Sequence, residues 1–228
     1  MDAERQGRIC DYWQTARPDS FGGAHARLRH LARRAGRTRV LNVGIGDGAF
    51  EEASLALGAD VHALDPSAGA VDALRARLNL GERAQAGSAV QIPWPDGYFD
   101  AVVASEVLEH LDDATLLAAR DEFARVLRPG GRLLGTVPAR EQLSANTVVC
   151  PYCTRAFHRW GHERAFDPAA LRDLLSPRFA AVAVEERVFV TWNRLNWKGR
   201  LTAVARVALV AVGGHSAAAN LLFTAERA

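Results

Sequence analysis

A short aliphatic run, Arg39-Val40-Leu41-Asn42-Val43, ends in Gly44-Ile45-Gly46-Asp47-Gly48. This junction constrains the fold more than any other stretch. The run reads as a buried strand. Glycine at every second position lets the backbone turn sharply and come close to a ligand. The residues that follow, Asp47 to Leu57, read as a helix whose first turn offers unpaired N–H groups. Alone, such a turn suits nucleotide-like ligands in general and some plain tight turns.

From Thr38 onward strand-like and helix-like patterns alternate, which predicts an α/β sheet with helices on both faces. Val61 to Leu64 reads as the second strand, with Ser67 capping a helix that runs to Leu80. Phe99 to Ala104 reads as a buried strand, followed by a helix over Asp113 to Leu127. Arg128-Pro129-Gly130-Gly131 reads as a turn and Arg132 to Val137 as the next strand. Asp167-Pro168 opens a helix, with proline in the first turn where it is tolerated. Phe179 to Val190 reads as a long strand, Leu195 to Val212 as a helix, and Asn220 to Ala225 as a last strand.

At 228 residues the chain suits a single domain. Residues 1–37 read as an N-terminal helical cap over the substrate, and residues 139–166 as an insertion. Net charge is +2, and Lys198 is the only lysine. Arginine for lysine, with abundant alanine, points to a GC-rich bacterial genome. The first residues lack a signal-peptide core, and Leu201 to Val212 is too short to span a bilayer, so the expected location is cytoplasmic.

Asp65 ends the second strand. In an open α/β sheet ligands lie beyond the carboxyl ends of strands, where a carboxylate can accept both hydroxyls of a ribose. Five segments then occur in order: Val40 to Gly48; Ala63-Leu64-Asp65; Ile92-Pro93-Trp94-Pro95-Asp96-Gly97-Tyr98-Phe99-Asp100; Glu106-Val107-Leu108-Glu109-His110-Leu111; and Arg125-Val126-Leu127-Arg128-Pro129-Gly130-Gly131. With them the chain resembles the class I S-adenosylmethionine-dependent methyltransferases over roughly Thr38 to Phe179. The resemblance implies a Rossmann-like, doubly wound, seven-stranded and mostly parallel sheet. It implies that Gly44, Gly46 and Gly48 pass along the cofactor's methionine portion and ribose, that Asp65 binds the ribose hydroxyls, and that Pro66, Ser88 and Ala89 flank the adenine. Ser105 and Glu106 would line the methyl-transfer centre. Asn42 stands where the family commonly has an acidic residue, and Ser88 where an aspartate often meets the adenine. A dinucleotide-binding dehydrogenase would want Gly-x-Gly-x-x-Gly, and the later segments have no place in it.

Cys150-x2-Cys153-x4-His158-x3-His162 has the ligand types and spacing of a structural zinc site. A rival site starts from Glu106, Glu109 and His110. These resemble the metal-binding element of small-RNA 2′-O-methyltransferases and ubiquinone-pathway O-methyltransferases, which a later histidine completes; His162 takes that place here. Such an ion binds vicinal hydroxyls and acidifies one. His162 cannot easily serve both sites.

His110 is the first candidate for a general base, with His158 and Glu106 behind it. Tyr12, Trp13, Phe157, Trp160 and the segment Thr191 to Trp197 are candidate walls of an acceptor pocket for a sugar or planar small molecule. Six arginines and two histidines between His25 and Arg39 read as a solvated helix face rather than a nucleic-acid surface, because acidic residues elsewhere nearly cancel the charge and no aromatic stacking pattern accompanies them. The Leu201 to Val212 helix is expected to pack in the core, with a membrane surface or a homodimer contact as the other options. The leading expectation is O-methylation of a small molecule. The alternatives are a non-catalytic, zinc-stabilised binding module and a metal-dependent enzyme of the 2′-O-methyltransferase kind.

Overall fold

The computed structural model of the protein describes Tyr12 and residues 22–228. Trp13 and residues 1–11 and 14–21 of the expected cap lie outside the described residues. The elements are α1 (His25–Ala35), β1 (Arg39–Val43), α2 (Ala49–Ala56), β2 (Asp60–Asp65), α3 (Ala68–Leu78), β3 (Ala84–Ala86), β4 (Phe99–Ser105), α4 (Asp113–Val126), β5 (Leu127–Pro138), β6 (Thr147–Val149), β7 (Ala156–His158), α5 (Pro168–Leu175), β8 (Phe179–Val188), α6 (Trp197–Ala211) and β9 (Ala219–Arg227).

Seven strands form one sheet in the order β3-β2-β1-β4-β5-β9-β8. The first five run parallel, while β9 pairs antiparallel with both β5 and β8. This is the doubly wound, mostly parallel sheet expected from the sequence. Alternate residues of the central strands face opposite helical layers, as a period of two requires. Leu41, Val43, Val102, Ala104 and Leu133 pack with Phe123 of α4, whereas Val40, Val61, Ala101, Val103 and Leu134 pack with Leu31 and Ala35 of α1. Phe99 and Phe123 are fully buried, and truncating either to alanine would cost about 3–5 kcal/mol.

Local chemistry sets several boundaries. Ser67 Oγ accepts from the Ala70 N–H at 3.3 Å, and Asp167 Oδ1 accepts from the Ala169 and Ala170 N–H groups. These caps start α3 and α5 where the sequence predicts. Gly135 lies where a Cβ would stand 2.0 Å from the Ala104 carbonyl oxygen and 2.4 Å from Phe223. Only glycine lets β4, β5 and β9 close at that point.

Two expectations are corrected. Residues 128–131 belong to β5 rather than a separate turn; Leu127 already pairs with Phe99, and the register shifts before Ala101 pairs with Arg132. The helix after Leu195 does not enter the core. Ala203 is its one buried residue, because α6 lies against the edge strand β8, beyond the reach of the two core layers. No helix among the described residues is long and apolar enough to cross a membrane.

Candidate active site

The strand order reverses between β1 and β4, so the crevice at the sheet's carboxyl edge opens there. Two loops meet across it. Gly44, at φ +83°, lies so close to the segment after β4 that a Cβ would come within 2.8 Å of Val107 Cγ2. Gly46 and Gly48 also have positive φ. The bare backbone at Gly44 lets this loop pack directly against the segment after β4. Asp65, buried at the end of β2, accepts from the Ile45 N–H at 2.9 Å and the Ser67 N–H at 2.9 Å. Its carboxylate therefore ties the glycine loop to the start of α3. Pro66 and Ser88 are exposed, and Ala89, next to Ser88 in sequence, is half-buried.

Asn42 is buried and donates through Nδ2 to Glu51 Oε1 at 2.7 Å. The carboxyl group missing at position 42 stands at position 51, one turn into α2. Burial pushes the Glu51 carboxyl up to about 7, against the opposing effect of the Asn42 hydrogen bond. Asn42 Oδ1 and Glu51 Oε2 are buried without hydrogen-bond partners, which is costly unless a ligand or water meets them.

After β4 the chain enters a strained corner. Glu106 has φ +59°, an uncommon conformation for a residue with a side chain. Its N–H donates to the Thr136 carbonyl at 2.8 Å and its Oε1 accepts from Asn220 Nδ2 at 3.1 Å. Arg27 of α1 reaches over this corner, donating to Ser105 Oγ at 3.2 Å and lying 3.8 Å from Glu106 Oε2. Nothing local marks Arg27 within the basic run; only the fold brings it to Ser105.

A single helical turn, Leu108–His110, follows. The insertion folds onto it, with the Glu163 N–H donating to the Glu109 carbonyl at 2.8 Å. Glu109, His110 and His162 thereby converge, with one potential ligand atom from each lying within 4.8 Å of the others. Hydrogen bonds define the histidine tautomers. His110 Nδ1 lies 3.3 Å from the Gly161 carbonyl oxygen, which can only accept, so Nδ1 carries the hydrogen and Nε2 the lone pair. His162 Nδ1 donates to Glu141 Oε2, which again leaves the lone pair on Nε2. Burial and the neighbouring His162 hold the His110 imidazole down at about 4, neutral at ordinary pH. The two Glu109 carboxyl oxygens are buried without hydrogen-bond partners, and burial, reinforced by Glu106, pushes this group well above the usual carboxylate range. A cation there would meet the donor set that Glu109, His110 and His162 offer.

His158 has the opposite tautomer. Its Nδ1 accepts from the His162 N–H at 3.1 Å, and its Nε2 faces Glu141 Oε1 at 3.3 Å. His158 Nε2 lies beside Glu141 without a hydrogen bond to it, and Glu141, His158 and His162 also form a compact group of donors. The expected set of Cys150, Cys153, His158 and His162 is not gathered. Among the described residues no three-donor group includes a cysteine. The reason is the hairpin register. Thr147 pairs with His158 and Val149 with Ala156, so His158 sits about 10 Å down the strand from the Cys150 tip, at about 3.3 Å per residue. Turn N–H groups of Cys153 and Tyr152 hold the Cys150 thiol below its ordinary range. Glu141, which orients His162, was missed; nothing in its local sequence marks it.

A methyltransferase-domain family profile matches residues 41–135. The ubiquinone biosynthesis O-methyltransferase of Thiobacillus denitrificans is 33% identical over 190 residues, covering 78% of this chain and 79% of that protein. An uncharacterized methyltransferase of Mycobacterium tuberculosis is 32% identical over 166 residues; the match covers 63% of this chain and 65% of that relative's length. Among solved structures, the 1,6-didemethyltoxoflavin-N1-methyltransferase of Burkholderia thailandensis, with S-adenosylhomocysteine bound, superposes with a TM-score of 0.67 at 18% identity, over 99% of this chain and 88% of that one. The N-methyltransferase NodS of Bradyrhizobium japonicum gives 0.61 at 19% identity, over 98% and 97%. Sheet order, glycine crevice and these relatives agree, and the chain belongs to the class I S-adenosylmethionine-dependent methyltransferases.

Proposed function

We propose that this protein transfers the methyl group of S-adenosylmethionine to a hydroxyl of a small molecule, with a divalent cation held by Glu109, His110 and His162. The observation that carries this reading is the convergence of Glu109, His110 and His162, with both histidines hydrogen-bonded through Nδ1 beside a buried carboxyl without a hydrogen-bond partner. The O-methyltransferase among the relatives supports oxygen as the acceptor. In the proposal Gly44, Gly46, Gly48 and Asp65 hold the cofactor, with Pro66, Ser88 and Ala89 at its adenine, and the Asn42–Glu51 pair lies beneath its charged end. Arg27 and Ser105 close that end.

S-adenosylmethionine held there would supply an electrophilic sulfonium methyl; the acceptor oxygen would bond to that carbon as the carbon–sulfur bond breaks and S-adenosylhomocysteine leaves. A divalent cation at the triad would lower the pKa of the acceptor hydroxyl. The chain's own residues do the rest. Glu106, fixed by its strained backbone and by Asn220, lines the transfer centre. Neutral His110 serves as a ligand; with its pKa near 4 it is a weak general base at neutral pH. Glu141 orients His162, with His158 beside it.

Methyl transfer from labelled cofactor to a panel of vicinal diols and catechols, with magnesium, manganese or chelator, tests the proposal. Oxygen methylation that requires the metal and fails in His162→Ala is expected. Turnover indifferent to chelator would overturn the metal role. Zinc that co-purifies and is lost on Cys150→Ser or Cys153→Ser would restore the closed cysteine–histidine site instead.

A further inference from the structure

The helix α6 is apolar and yet, among the described residues, largely exposed. Trp197, Leu201, Val204 and, just past the helix, Val212 are 67%, 63%, 54% and 82% exposed. They recur at spacings of four, three and eight, so they form one stripe along the helix. The buried Ala203 lies on another side, so the stripe faces away from the protein. Asn196 Oδ1 accepts from the Gly199 N–H at 2.9 Å, which caps the helix from its own sequence. The charge along its own segment has one sign. No Asp or Glu occurs between Arg187 and Glu226, while Arg194, Arg200, Arg206 and the chain's sole lysine, Lys198, all fall there. Lys198 and Arg200 flank the stripe on opposite sides, where long side chains can direct their charge to the level of headgroups. With 15 residues the helix is about 22 Å long, short of the roughly 30 Å of a hydrocarbon core.

We propose that α6 is an interfacial helix that docks the protein on a bilayer surface containing anionic phospholipid. Trp197, Leu201, Val204 and Val212 enter the acyl boundary, and Arg194, Lys198 and Arg200 meet the phosphates. A second copy of the chain is the less favoured occupant, because self-association would bring these cations against one another with no acidic residue in the segment to offset them.

Co-sedimentation of the full chain with vesicles tests this. Vesicles of phosphatidylcholine alone are compared with vesicles that also contain phosphatidylglycerol, at low and high salt. The wild type is expected to pellet with the phosphatidylglycerol vesicles, to release in high salt, and to show a blue shift of tryptophan emission on binding. Leu201→Glu with Val204→Glu, and separately Lys198→Glu with Arg200→Glu, are each expected to weaken binding by at least about tenfold. Both pairs are exposed, and unchanged binding of S-adenosylhomocysteine would show that the variants fold. A wild type that stays in the supernatant with phosphatidylglycerol vesicles would overturn the proposal. So would a dimer, seen by sedimentation equilibrium, that Leu201→Glu with Val204→Glu converts to monomer without any vesicle binding in the wild type.

Discussion

The loop after β1 and the insertion between β5 and α5 both bring polar groups to the carboxyl edge of the sheet, by different means. The β1 loop works through backbone: positive φ at Gly44, Gly46 and Gly48, and the Ile45 N–H tied down by Asp65. The insertion works through side chains: Glu141 joins His162 and His158, and the Glu109 carbonyl receives the Glu163 N–H. A backbone site follows from the fold and can serve any member of the family. A side-chain site depends on which residues the insertion carries and on how it folds back.

The contrast can be broken from the backbone side first. Gly44→Val forces a side chain into Val107 at a φ of +83°. Affinity for S-adenosylhomocysteine by calorimetry is expected to fall by about a thousandfold, and unaltered affinity would remove the loop from the cofactor site. The next effect concerns Glu51. Its folded carboxyl holds a proton up to about 7, against an ordinary value of 4.5. Stability from the protonated form is complete below pH 4.5 and is lost as pH rises to about 7. Glu51→Gln is expected to flatten that slope in denaturant titrations and to gain up to about 3 kcal/mol over the wild type above pH 7. A parallel slope in both proteins would contradict the assignment.

On the insertion side, His162→Ala is expected to reduce metal-dependent turnover by about 100-fold while leaving cofactor affinity within about twofold. Glu141→Gln should give a smaller loss, about tenfold, with weaker metal affinity. Equal losses of turnover and cofactor binding would erase the distinction between the two regions. The smallest effect belongs to the hairpin tip. Cys150→Ser with Cys153→Ser should shift stability by less than about 0.5 kcal/mol, since Cys153 is exposed and Cys150 is only half-buried.

The backbone half could be read in the sequence because its signals are local. Strand periodicity, the glycine turn, and the Ser67 and Asp167 caps each act within a few residues. The limits of β1 match the expected ones, and those of β2 and β4 match within one residue. The side-chain half depends on chain reversals. Glu141 meets His158 and His162 only after the β6–β7 hairpin turns back, and Arg27 meets Ser105 across 78 residues. The cysteine–histidine spacing suggests one metal site, but the hairpin register sets His158 opposite Thr147, three residues from Cys150. Asn42 looked like a weakened family position until α2 brought Glu51 against it.

Calorimetric titration of the full chain with S-adenosylmethionine tests the central claim most directly. One site of micromolar affinity, lost in Gly44→Val while the melting transition persists, is predicted. No binding, or binding that Gly44→Val leaves intact, would contradict it.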